Sequence, residues 1–315
     1  MQLFGLKSNI EIENYDLYSE YEFQDVEISS ALESIDYINN QLGLEDFKDK
    51  VKKVKEFIIK IWNKIMDFIK GVYNKIKNFF KKGEEKNKSN EDKVSKMEKD
   101  LNNIKVSTSI EENNKEVTVI LYKDLIKCLK EATLVNLNSL HEETMTLDLQ
   151  KIFENLDFSN LEDIKNTSEK LLKYNKGINE YLNYLNGKPP KMASMIINDK
   201  ESVTGSRDEV KNKIRADINT IKEMLEEYKN DFSNSRKKAK EVLDIQTFKN
   251  NIEEKISMLN NDTSNEVVLE LQTLLKELRV LTSQLAMYFT KRENTIITFY
   301  TLIIRHYEIE IDKIK

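Results

Sequence analysis

Two histidines, one cysteine and 55 carboxylates are the side chains from which this chain could assemble catalytic chemistry. Their spacing assembles none. Leu140-His141-Glu142-Glu143 resembles half of a zinc-protease helix motif, in which two histidines four residues apart hold the ion. The position four residues on is Met145, so the second ligand is missing, and a lone imidazole does not make a zinc site. His306, among Arg305, Tyr307 and Glu308, offers no stronger case. Cys128 is alone, which excludes an intramolecular disulfide framework and a cysteine metal cluster. Its flank, Leu125-Ile126-Lys127 and Leu129, marks a small core residue, with no histidine or cationic cluster to activate the thiol. Gly205-Ser206 lacks the earlier glycine and following lysine of a phosphate-binding loop. The acids recur at helical spacing with lysines, as solvated pairs do, so no two stand out as a general acid and base. The expectation is a non-enzymatic protein with no catalytic residue, no metal and no cofactor.

The spacing that does carry physical meaning lies in Phe47 to Lys82. Phe47, Val51, Val54, Ile58, Ile61, Ile65, Phe68, Val72, Ile76 and Phe79 recur every three or four residues. Projected at about 100° per residue they cover an arc of roughly 160°, wider than a coiled-coil seam. Lys52, Lys53, Lys60, Lys64, Lys70 and Lys81 lie outside that arc. The segment holds 12 lysines and 3 acids, a net of +9, whereas residues 1–46 hold 11 acids and one lysine, a net of −10. An acidic leader therefore stands directly ahead of a cationic amphipathic helix. Three roles for that helix stay open. Its apolar side packs on a bundle or on a second copy of the chain. Alternatively it lies on an anionic bilayer, which Trp62 and the flanking phenylalanines suit. In the third, the lysine side meets nucleic acid or an acidic protein wall. The candidate interaction residues are Lys53, Lys60, Trp62, Lys64, Phe68, Lys70, Phe79 and Phe80. The leader can mask the lysine side until it is removed.

The elements that must position these residues are helices. Only 7 Gly and 2 Pro in 315 residues leave too few breakers for an all-β or α/β fold. The expected class is all-α: an elongated helical bundle with a long antiparallel hairpin and a separate N-terminal basic helix. The net charge of −5 argues against a general nucleic-acid binder. The N-terminus has no basic n-region and apolar h-region of a signal peptide. Ile296 to Ile304, the longest strongly apolar stretch, is about half the ~20 residues that cross a bilayer.

Residues 1–23 read as extended or disordered, and 24–42 as a helix that Gly43 ends. After the basic helix, the run 83–100 is charged and nearly free of apolar residues, which predicts a solvated linker. Beyond it, 101–315 is expected to form the bundle. Val117 to Ser139 predicts a helix whose first residues, Val117–Tyr122, have strand-like content. Thr146–Leu156 and Leu161–Leu185 predict two more, the second stopped by Asn186-Gly187-Lys188-Pro189-Pro190. Val210, Ile214, Ile218, Ile221, Leu225, Tyr228, Phe232, Ser235, Ala239 and Val242 carry one helix over 207–259, with a bend at Ser233–Ser235. Asn260 to Ser264 is the turn, with Thr263 or Ser264 as the cap. Leu271, Leu274, Leu278, Leu281, Leu285 and Tyr288 open the returning helix, whose seam weakens at Lys291–Asn294. Each arm of this hairpin would be about 75 Å long.

Met1-Gln2-Leu3-Phe4-Gly5-Leu6, the acidic stretch with Tyr15-Asp16-Leu17-Tyr18, and Ser29-Ser30-Ala31-Leu32-Glu33-Ser34 resemble the N-terminus of internal head proteins of large tailed bacteriophages. Ile58-Ile59-Lys60-Ile61-Trp62-Asn63-Lys64 through Phe79-Phe80 is similar to the amphipathic helix that follows the leader in several of them. The resemblance covers about the first quarter of the chain. It implies a structural protein packaged inside a capsid, present in the host cytoplasm during assembly, with a leader cut by the prohead protease after a small-x-Glu motif. Ala31-Leu32-Glu33 and Gly43-Leu44-Glu45 match that motif, so the implied cuts fall between Glu33 and Ser34 and between Glu45 and Asp46. The implied partners are other virion or capsid proteins, with packaged DNA on the lysine face, a membrane surface or a second copy as further candidates. A membrane-active protein acting through 47–80 and a bacterial helical adaptor or scaffold are the alternatives.

Overall fold

The computed structural model describes residues 47–104, 116–121, 126, 146–186, 201–243, 246–259 and 264–315. Among them six helices and two short strands follow one another: α1 (Phe47–Asn103), β1 (Val117–Leu121), α2 (Leu149–Glu154), α3 (Leu161–Asn186), β2 (Glu201–Gly205), α4 (Arg207–Leu243), α5 (Gln246–Met258) and α6 (Asn265–Ile314). The fold is all-α with one small sheet. The expected helix at 24–42, Cys128, His141 and the candidate cleavage residues Glu33, Ser34, Glu45 and Asp46 lie outside the described residues.

Local chemistry sets where the helices start. Asp148 Oδ1 accepts from Lys151 N at 2.9 Å and caps α2. Asn160 Oδ1 accepts from Glu162 N at 3.0 Å and from Asp163 N at 3.3 Å ahead of α3. Ser206 and Glu209 form a capping box at α4: Glu209 N donates to Ser206 Oγ at 3.4 Å and Ser206 N donates to Glu209 Oε2 at 3.0 Å. Ser264 Oγ accepts from Val267 N at 3.3 Å and starts α6, as its place after the turn predicts.

The chain divides into two compact units. The first takes, of the described residues, 47–74, 148–176 and 242–286. Its core is built from Ile58, Ile61, Trp62, Ile65, Ile69 and Val72 of α1 with Phe153 of α2, Ile164 and Leu171 of α3, Ile252 and Ile256 of α5, and Leu271 to Leu285 of α6. Two polar ties hold it. Asn175 Nδ2 donates to the Glu277 carbonyl at 3.1 Å and to its carboxylate at 2.7 Å. Lys255 Nζ donates to the carbonyls of Phe153, Glu154 and Leu156 at 2.9, 2.7 and 2.7 Å. It thus satisfies orphan acceptors at the end of α2.

The second unit takes 75–147, 177–241 and 287–315. Its frame is three helical segments. Tyr307 donates to Asp217 at 2.6 Å and Tyr300 to the Met224 carbonyl at 3.1 Å, so α4 runs antiparallel to α6. Asn90 meets Thr301 at 3.2 Å, Lys93 meets Glu308, and Asp100 meets Lys315 at 2.9 Å, so α1 runs parallel to α6. Strands β1 and β2 pair antiparallel, Val117 opposite Gly205 and Leu121 opposite Glu201. Glu310, buried on α6, accepts from Ile120 N at 2.9 Å and ties the sheet to the helix.

Three expectations change. Val117–Leu121 is a strand, because its β-branched run finds a partner in Glu201–Gly205 from the far end of a long connection. Residues 207–259 form two helices, α4 ending at Leu243 and α5 starting at Gln246, and Ser233–Ser235 is unbroken helix. Residues 83–100, read as a solvated linker, are the second half of α1. Gly83, Asn87, Asn90, Val94, Met97 and Leu101 are its buried face, at a 4-3-4-3-4 spacing. Small and amide side chains occupy seam positions there, so the period is present without an apolar signal.

Candidate functional site

From Ile58 to Phe80 the apolar side of α1 is packed within the protein. Ile58, Ile61, Trp62, Ile65, Phe68, Ile69, Val72, Ile76 and Phe80 are buried, Trp62 completely. Of the expected interaction residues, Trp62, Phe68 and Phe80 are therefore core. Phe79 and Lys64 are half-buried, and Lys60 and Lys70 are exposed. The Lys53 side chain lies outside the described residues. Trp62, Phe68 and Phe80 are buried whereas Lys60 and Lys70 are exposed, so the set does not form a single surface.

Phe80 stacks edge-on against Phe232 of α4 with ring centroids 5.2 Å apart, and Tyr228 lies 5.9 Å further along. Gly83 comes so close that a Cβ built on it would sit 2.7 Å from Phe232 Cζ. Beside this apolar contact runs a column of charge. Glu84 pairs with Arg236, Glu91 with Lys229 at 3.1 Å and Glu98 with Lys222 at 3.0 Å. Acids seven residues apart on α1 thus meet cations seven apart on antiparallel α4. These pairs are open to solvent and contribute to partner choice more than to stability.

A second charged group is buried. Arg292 is 1% exposed and Glu293 is fully buried, at the point where the α6 seam was expected to weaken. Arg292 bridges Glu293 and Asp231 of α4 and approaches Ser235 Oγ at 3.4 Å. Tyr228 donates its hydroxyl to Glu293 Oε2 at 2.6 Å. Burial pushes the Tyr228 hydroxyl well above the ordinary phenol range, and the Glu293 charge adds to it. Burial opposes the charge on Arg292, but Glu293 and Asp231 outweigh it, and the guanidinium stays ionised. Every member of the cluster is engaged by another. No group of three His, Cys, Asp or Glu residues is placed to hold a metal ion among the described residues. No described helix is long and apolar enough to cross a membrane.

Sequence reasoning missed this cluster and the column of pairs. The signal was present in both cases: ionisable residues falling in the seam register at 292–293, and Glu84, Glu91 and Glu98 repeating every seven.

Residues 27–127 match the family model of phiKZ-like phage internal head proteins, about the first third of the chain. The matched stretch starts inside the acidic leader and takes in all of α1 and β1. No curated protein and no solved structure matches the chain.

Proposed function

We propose that this chain is a non-enzymatic structural protein of a phage virion, carried inside the head with other virion components. The observation that carries the reading is the family match over 27–127, which contains the candidate cleavage residues and the whole of α1. The engaged state of the buried charge cluster and the absence of a histidine or cysteine constellation in the sequence support a non-catalytic role.

Maturation belongs to the same proposal. Removal of 1–45 would take away a net −9 and leave Asp46 directly ahead of the first residue of α1. A cut there spares every described element. A cut after Glu33 would leave 34–46 attached. Mass spectrometry of purified virions tests both statements. The chain should be found in washed particles with a terminal peptide starting at Ser34 or Asp46. Its absence from particles would remove the virion reading, and likewise any bacterial adaptor would be recovered only from cells. An intact Met1 in mature particles would sink the maturation step.

The membrane reading is weakened by one observation: the apolar residues of α1 from Ile58 to Val72 are buried in the first unit. Binding a bilayer through them would require that unit to open. Co-sedimentation with anionic vesicles at low salt is expected to leave the chain in the supernatant.

A further inference from the structure

The second half of α1 presents six lysines that the fold does not use. Lys77, Lys81, Lys82, Lys88, Lys96 and Lys99 are exposed, and none has an ion pair among the described residues. The acids of this segment are mostly committed elsewhere. Glu84, Glu91 and Glu98 neutralise cations of α4, and Asp100 neutralises Lys315. Glu85 and Asp92 are the acids left on the outer side. The formal charge of the segment thus understates its outward face.

Geometry sorts the six. At about 100° per residue, Lys77, Lys81, Lys88 and Lys99 fall within roughly 40° of one another, and Lys96 flanks them. The row is about 33 Å long at 1.5 Å per residue. It lies opposite the buried seam of Gly83, Asn87, Asn90, Val94, Met97 and Leu101. Its exposed neighbours are Asn78, Ser89, Ser95 and the two acids Glu85 and Asp92, so five lysines face two carboxylates and the row keeps a net positive charge; no exposed aromatic side chain is present on which an unpaired base could stack. No arginine is present in 75–103 for bidentate reading of guanine. A linear row of point charges on a rigid rod matches a regular polyanion: a duplex carries one charge per about 1.7 Å of axis.

We propose that the outer face of α1 over residues 77–99 is a docking stripe for duplex nucleic acid, held through the backbone phosphates by Lys77, Lys81, Lys88, Lys96 and Lys99 without reading sequence. This names a partner for the virion protein proposed above and rests on that reading. A lipid surface is the poorer fit, because the stripe has no apolar residue beside it to enter the acyl boundary.

The test is fluorescence anisotropy of a labelled 30-base-pair duplex of mixed sequence with the full chain at 50–200 mM KCl. Five phosphate contacts give a log–log salt slope of about −4.5, so each doubling of salt should weaken binding by about 20-fold. K77Q/K81Q/K88Q/K96Q/K99Q should lose at least about 20-fold at 50 mM, whereas K213Q/K237Q/K240Q on α4 should stay within about threefold. Helicity is checked by circular dichroism. If the fivefold variant misfolds, K88Q/K99Q replaces it, with an expected loss of about fivefold or more. The proposal is overturned by no binding at 50 mM, by equal losses in both sets, or by stripe-dependent binding to phosphatidylglycerol vesicles without duplex binding. A chain that is recovered from virions yet ignores the duplex defeats this inference alone. A chain missing from virions defeats the virion reading, whatever the duplex assay gives.

Discussion

Gly71 and Gly83 sit on the same helix, and the same substitution should act on them with opposite sign. Glycine in a helix interior costs about 1 kcal/mol relative to alanine. At Gly71 an added Cβ meets nothing within 4 Å, so Gly71→Ala should gain about 0.5–1 kcal/mol. At Gly83 the same Cβ would lie 2.7 Å from Phe232 Cζ, 3.1 Å from Cε2 and 3.3 Å from Ile297 Cδ1. The ring cannot step aside cheaply, because Phe80 lies 5.2 Å and Tyr228 5.9 Å from it and both are buried. Overpacking of this kind costs about 1–3 kcal/mol, which outweighs the propensity gain and leaves Gly83→Ala destabilised by about 1 kcal/mol. For a unit of this size that is a fall in melting midpoint of roughly 2–4 °C. Helicity followed by circular dichroism reads both variants, and Trp62, the single tryptophan, reports on the first unit by fluorescence. Phe232→Leu should relieve part of the Gly83→Ala penalty, since the two changes share one contact. Equal stabilisation by the two alanines, or a Gly83→Ala cost indifferent to Phe232→Leu, would refute the packing argument.

Arg292→Met strands Glu293 without its cation, and breaking a buried pair costs about 3–5 kcal/mol. Urea unfolding measures it, and a loss below about 1 kcal/mol would contradict the burial of the cluster. Tyr228, Tyr288 and Tyr300 all have hydroxyls raised by burial, so the unfolded chain loses those protons first. Stability from them is complete below about pH 10 and falls above it by up to about 4 kcal/mol per pH unit, three times the value of one proton. Urea midpoints at pH 9, 10 and 11 should therefore be flat and then drop, with a shallower drop in Tyr228→Phe; a flat profile to pH 11 would refute it. Replacing Glu84, Glu91 and Glu98 together by lysine should lower the melting midpoint, and further reversal of Lys222, Lys229 and Arg236 to glutamate should restore it. Both effects should shrink in 1 M salt, and no rescue would mean the column is incidental.

The class of the fold and most helices were legible because their apolar spacing is regular. Ile58 to Ile76, Val210 to Val242 and Leu271 to Tyr288 all bury the side that their period predicts. Two kinds of information were hidden. Where Gly83, Asn87 and Asn90 replace apolar seam residues, composition resembles a solvated run although the chain is helical and half covered. Where Val117–Leu121 pairs with Glu201–Gly205, the partner lies 86 residues away at the Thr118–Thr204 contact, and no local window sees it. The candidate interaction set mixed buried and exposed positions for a related reason. Periodicity separates apolar from charged sides, but it does not say that the apolar side is consumed within the same chain, as Trp62, Phe68 and Phe80 are.

The same contacts bear on how α4 finds its place on its neighbours. A seam of period seven invites slippage by one heptad, since most apolar contacts are replaced by equivalents. The column of ion pairs resists this weakly: a slip of seven still matches two of its three rungs, Glu91 and Glu98 with Arg236 and Lys229 or Glu84 and Glu91 with Lys229 and Lys222. The buried groups tolerate no slip. Moving α4 by seven residues takes Asp231, Tyr228 and Ser235 away from Arg292 and Glu293 together, and leaves that buried pair with only each other, short of every hydrogen bond and charge that α4 supplies. It also sets Phe232 against a side chain where Gly83 made room. Stranding a buried charge costs several times what an exposed pair contributes. Register in the second unit is thus set by the Arg292 cluster and the Gly83 contact, and the outer column, whose acids on α1 and cations on α4 both repeat every seven residues, adds charge complementarity between the two helices without fixing their register.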